Sequence, residues 1–173
     1  MNPDISKDMH SQMQEAGISL VEVMVVIAII AIIAFVAMPS YNNAIDNQRL
    51  KAAAEAVLSD IRWSRSEAIK RNTPVRITFT TGNNWSYTIV PDTNGDGTFD
   101  EASIRTASDS DFPSTTLTSA SFSGNAFSTF NPVRGTATNG SLVITSSGGS
   151  SATVTLSTLG RSRICGFGGY EGC

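Results

Sequence analysis

The chain has 173 residues, with 12 Lys and Arg against 15 Asp and Glu and a single histidine. A formal net charge of −3 excludes a nucleic-acid binder that works through bulk positive charge, while leaving room for a local basic patch. The one histidine, His10, precedes the first apolar run, so the remainder lacks the commonest general base and the commonest zinc ligand. No enzyme is expected.

Residues 1–17 are polar and end in Gly17, with Lys7 standing against Asp4, Asp8 and Glu15. From Ile18 to Met38 the sequence is apolar except for Glu22, and as a helix it spans about 31 Å, the thickness of a bilayer core. This predicts a transmembrane helix over 18–38. A lone carboxylate near the start of such a helix is costly in lipid, so Glu22 needs a partner. An ordinary secretory signal fits poorly, because the polar segment precedes the apolar run and no small-residue cleavage site follows it. Without residues 1–17 the balance is 11 basic against 12 acidic residues.

These residues resemble the type IV prepilin signature, a polar leader ending in Gly before a hydrophobic helix with Glu at its fifth residue. The resemblance implies that a prepilin peptidase cuts after Gly17, that Ile18 becomes the N-methylated first residue, and that Glu22 meets a neighbour's N-terminal amine during assembly. It also implies an inner-membrane single-pass protein with a periplasmic domain, later part of a pilus at the cell surface. Ile18 stands where the family usually has Phe, and the leader lacks the usual basic excess.

Beyond Pro39 the helical pattern continues. Leu50, Ala54, Val57, Leu58, Ile61 and Ala68 recur at spacings of three and four, and good helix formers fill the stretch from Leu50 to Leu58. Arg71-Asn72-Thr73-Pro74 then supplies a cation, a turn residue and a proline, which end a helix. An amphipathic continuation over 39–72 follows. Its Arg49, Lys51, Arg62, Arg65, Lys70 and Arg71 read as a solvated face laced with Asp46, Glu55, Asp60 and Glu67.

After Pro74 the period becomes two. Val75, Ile77 and Phe79 alternate with Arg76, Thr78 and Thr80 as a half-buried strand, Gly82-Asn83-Asn84 turns, and Trp85 to Val90 answers as the hairpin partner. Further strands are predicted at Ser121 to Phe130, Ser141 to Thr145, Ala152 to Leu156 and Arg161 to Cys165, separated by Gly and Ser turns. The fold class is therefore α+β, a long N-terminal helix packed on a C-terminal antiparallel β domain over 73–173.

Between the second and third strands lies an acidic loop. Asp92, Asn94, Asp96 and Gly97 follow the start of an EF-hand, with Ser103 where the twelfth-position Glu would stand and Asp100 or Glu101 as substitutes. Calcium is one reading; hairpin-turn chemistry of Asn-Gly and Asp-Gly pairs is the other. No other cofactor is expected. Cys165 and Cys173, the only cysteines, would lie in an oxidising periplasm, where a disulfide closing this short loop is expected over free thiols. A metal pair is disfavoured, because neither a further His nor a second Cys pair is present.

The order of these parts resembles the FimT and H-type pseudopilin group: a Trp-containing strand, an acidic loop, Ile104-Arg105, the element Pro132-Val133-Arg134-Gly135, and Leu159-Gly160-Arg161-Ser162-Arg163. The resemblance implies a minor pilin whose Gly160, Arg161 and Arg163 bind DNA during uptake in natural transformation, or a structural pseudopilin of a type II secretion machine, or a pilus-initiation subunit without DNA binding. Double-stranded DNA, read without sequence preference, and other pilins are the implied partners. The residues support a nucleic-acid reading locally. On a strand, Arg161 and Arg163 would project from one face about 6.6 Å apart. From Phe112 onward there are three Arg and one Glu, whereas Asp92 to Asp111 carries six acids and one Arg. Arg134, Phe167 and Tyr170 are secondary candidates, the two rings for stacking on bases.

Overall fold

The computed structural model describes residues 17–173, without the side chains of 36–40, so the leader expected over 1–17 lies outside the described residues apart from Gly17. Helix α1 runs Leu20–Arg71, 52 residues, and contributes to two compact units that divide after Pro39. In the first unit the apolar side chains meet solvent: Leu20, Val21, Met24, Ile27, Ile30, Ile33 and Phe35 are all more than half exposed. Among the described residues no helix is long and apolar enough to cross a membrane.

The second unit, Ser40–Cys173, is built on the later part of α1. Leu50, Ala54, Val57, Ile61 and Ala68 form its buried stripe, as their spacing predicts; Ala53 joins them, while Leu58 is only half-buried. The helix ends where expected: Asn72 takes a left-handed φ of 54° that closes the last turn, and Pro74 prevents continuation.

Two antiparallel sheets complete the core. One contains β1 (Val75–Thr80), β2 (Ser86–Pro91), β3 (Arg105–Ser108) and β5 (Phe127–Phe130), in the order β3-β2-β1-β5. The other contains β4 (Thr115–Phe122), β6 (Gly140–Ser146), β7 (Ser151–Leu156) and β8 (Ser162–Cys165), in the order β4-β6-β7-β8. The β1–β2 hairpin is the predicted one, with Ile77 opposite Ile89 and Phe79 opposite Tyr87. Aromatic side chains join the sheets: Phe79 stacks on Phe122 of the other sheet at 5.5 Å, and Trp85 stacks on Tyr87 and on Phe112. Trp85 and Tyr87 are fully buried, which contributes about 2–3 kcal/mol each in transfer free energy.

Two expectations need correction. Ser121 to Phe130 is not one strand. Ser123 and Gly124 take φ of 50° and 89°, Phe122 and Asn125 exchange main-chain hydrogen bonds across the turn, and the chain passes from the second sheet to the first. Strand β3 and most of β4 were not anticipated, because Arg105-Thr106-Ala107-Ser108 and Thr115 to Ser121 offer little apolar alternation. Pairing with β2 and β6 supplies what local pattern lacks.

Candidate functional site

The turn between β7 and β8 carries the two arginines singled out by sequence. Leu156 pairs with Ser162 across the ladder, and the Gly160 amide donates to the Ser157 carbonyl at 2.8 Å, closing the turn. Gly160 has a φ of 72°, and a Cβ there would lie 2.4 Å from the Gly135 carbonyl oxygen, so only glycine fits. Arg163 lies on β8, but Arg161 belongs to the turn just before it, not to the strand as predicted. Both arginines are exposed and both line one open cleft of about 570 Å³, together with Thr155, Ser157, Thr158 and Ser162. The Ser162 hydroxyl is buried and has no hydrogen-bond partner.

A second loop, between β5 and β6, meets this turn. The Gly135 amide donates to the Asn131 carbonyl at 2.9 Å, which places Val133 and Arg134 at an exposed tip. The Ala137 amide donates to the Thr158 carbonyl at 2.9 Å, so the loops carrying Arg134 and Arg161 are tied together. Among the described residues no carboxylate lies within ion-pairing distance of Arg134, Arg161 or Arg163. Three full positive charges are thus left for a partner.

Sequence reasoning missed two contributors on α1. The Arg65 Nε–H donates to the Gly135 carbonyl at 3.0 Å, and the Arg62 guanidinium donates to the Ser162 carbonyl at 3.3 Å. The predicted acid-laced face holds only in part. Asp46 with Arg49, Lys51 with Glu55, and Glu67 with Lys70 and Arg71 do pair. Asp60 instead points inward, 3 % exposed, accepting from the Tyr87 hydroxyl at 2.7 Å and pairing with Arg105 at 2.8 Å. Asp60 and Glu67 lie seven residues apart, hence on one face, and that face packs on the sheets. The spacing of Arg62 and Arg65, one helical turn apart, was the available signal.

The tail is tied to the rest of the unit. Cys165 and Cys173 are disulfide-bonded with Cα atoms 5.4 Å apart, as expected. Phe167 and Tyr170 are half-buried against the core, and the Tyr170 hydroxyl donates to Glu55 at 2.7 Å, an interaction that raises its pKa. Both rings thus pack partly against the core.

In the acidic loop the carboxylates turn back on the main chain. Asp92 accepts from the Gly95 and Gly97 amides, Asp96 from the Thr98 amide and hydroxyl, and Glu101 from the Thr93 and Asn94 amides. The bonds from Thr98 hold the Asp96 carboxyl below the usual range. Among the described residues no group of three or more His, Cys, Asp or Glu side chains is placed to hold a metal ion, Asp100 included. In the first unit, Ile18 and Glu22 line a common crevice of about 270 Å³ with Val23 and Val26.

The family described as "Type II transport protein GspH" matches residues 53–160, which contain the helix stripe from Ala53 onward, both sheets up to the β7–β8 turn, and Gly160. The chain belongs to the GspH family. The prokaryotic N-terminal methylation motif matches residues 12–38, around Gly17, Ile18 and Glu22, and implies leader processing and assembly with other pilins. Among solved structures, this GspH-family chain is similar to the type IV minor pilin FimU of Pseudomonas aeruginosa in two crystal forms. One is 21 % identical, covers 69 % of this chain and 90 % of that one, and has a TM-score of 0.52. The other is 22 % identical, with 68 % and 93 % covered and a TM-score of 0.50. That likeness carries the α+β pilin fold. No curated protein sequence matches the chain. Family, motif and fold together make it a GspH-family protein with a prepilin-type N-terminus and a pilin fold.

Proposed function

We propose that this GspH-family chain is a minor pilin that is anchored in the inner membrane by residues 18–38, is processed after Gly17, and enters a type IV pilus in which it binds double-stranded DNA for uptake. Glu22, beside Ile18, would accept the amine of a neighbouring subunit, which offsets the cost of both charges in lipid. The observation that carries the DNA reading is the cleft lined by Arg161 and Arg163, joined to the Arg134 loop, with no carboxylate paired to any of the three among the described residues. Guanidinium groups on two tied loops suit consecutive phosphates of a backbone, and no element there is shaped to enter a groove and read base edges.

With about three phosphate contacts, the logarithm of the binding constant should fall with the logarithm of salt with a slope of roughly −2.7. Fluorescence anisotropy of duplex DNA with the full chain in non-ionic detergent at low salt is the test. Arg161→Ala with Arg163→Ala should weaken binding at least about tenfold and flatten the slope by about 2. Equal affinities would remove this site. A wild-type protein that binds no duplex would favour the second reading, a structural pseudopilin of a type II secretion machine, for which the family match is the supporting observation.

A further inference from the structure

Arg62 and Arg65 are spent on no carboxylate. Among the described residues neither is ion-paired, yet each reaches a main-chain carbonyl far away in sequence. The two acceptors are informative. Ser162, which accepts from Arg62, separates Arg161 from Arg163, and Gly135, which accepts from Arg65, follows Arg134. The Arg65 side chain also fills the space above Gly160 and Gly135: a Cβ on Gly160 would come 2.8 Å from Arg65 Nε, and one on Gly135 would come 2.7 Å from it. One turn of α1 therefore grips both arginine-bearing loops by their backbones.

We propose that Arg62 and Arg65 are positioning residues for the nucleic-acid surface. They fix the separation of the Arg134 loop from the Arg161–Arg163 turn without touching phosphate themselves. A neutral acceptor is the appropriate one for this work. A carboxylate would cancel the positive charge beside the cleft, whereas a carbonyl orients the guanidinium and leaves its charge in place. A loop anchored to a helix also loses less freedom on binding than one that must order itself, which favours affinity without adding a contact. The inference rests on the DNA-binding reading above.

The test is duplex anisotropy over a salt series with the full chain in non-ionic detergent, for wild type, Arg62→Met with Arg65→Met, and Gly135→Ala. Methionine keeps much of the apolar stem and cannot donate. A folded Met pair should bind duplex about tenfold more weakly, and its salt slope should flatten by about 1, because phosphate contacts made by other arginines are lost. Gly135→Ala places a methyl group where the Arg65 head group lies, changes no charge, and should lower affinity at least about threefold. If the Met pair does not fold, Gly135→Ala and Arg62→Met alone carry the decision. Wild-type affinity and slope in any folded variant set would overturn the positioning role. Absence of wild-type binding would overturn the DNA reading itself, so the two failures are distinguishable.

Discussion

Replacing Asp60 by Ala removes a carboxylate that is 3 % exposed and serves two donors through one oxygen, the Tyr87 hydroxyl at 2.7 Å and Arg105 Nε at 2.8 Å. The two losses are unequal. The Arg105 side chain is 52 % exposed, so water replaces its partner and the ion pair is worth about 0–1 kcal/mol. Tyr87 is 1 % exposed, and its hydroxyl would be left buried without an acceptor, at about 1–3 kcal/mol. Burial and the bond to Asp60 both raise the Tyr87 pKa, so the hydroxyl remains a donor at any working pH. The sum is about 1–4 kcal/mol, which for a unit of this size lowers Tm by roughly 3–16 °C. Tyr87→Phe alone leaves Asp60 paired to Arg105 and should cost only about 1 kcal/mol. Adding Tyr87→Phe to Asp60→Ala removes the orphaned hydroxyl and should recover about 1 kcal/mol relative to Asp60→Ala. Urea and thermal unfolding of the four proteins measure this. A loss below about 0.5 kcal/mol for Asp60→Ala, or a further loss on adding Tyr87→Phe, would refute the reasoning.

Reduction, or Cys165→Ser with Cys173→Ser, should lower stability by about 2–3 kcal/mol and release the Tyr170 bond to Glu55, seen as increased exchange of tail amides. Unchanged tail protection would separate the disulfide from the tail's order. Glu67 has its carboxyl held below its ordinary value of 4.5, first by the hydrogen bond from Arg71 and then, against the opposing effect of burial, by Lys70. A depressed folded pKa gives stability that is present above the unfolded value and is lost as pH falls through the folded one. The denaturation midpoint of wild type should therefore drop between about pH 5 and 3 more steeply than that of Glu67→Gln, and parallel curves would remove Glu67 from the acid response.

Much of this protein is written in local pattern. The apolar run with Glu22, the 3.6-residue stripe from Leu50 to Ala68, the stop at Asn72 and Pro74, the β1–β2 hairpin and the Cys165–Cys173 pair all depend on neighbours in sequence. Periodicity and turn chemistry report them directly. The candidate residues Gly160, Arg161 and Arg163 were legible as a motif, but their geometry was not. That Gly160 is pinned by the Gly135 carbonyl, 25 residues away, follows from two loops meeting, and no spacing encodes it. Strands β3 and β4 were hidden for the same reason: weak alternation becomes strand only when β2 and β6 offer hydrogen-bond partners. The helix charges divide most clearly between the two levels. Sequence counts Asp60, Arg62, Arg65 and Glu67 as one polar face, yet a rotation of 100° per residue sends the acids toward the sheets and the arginines to the rims of two loops. Main-chain carbonyls accept from those arginines, and since every residue carries a carbonyl, only the tertiary structure decides which ones are within reach.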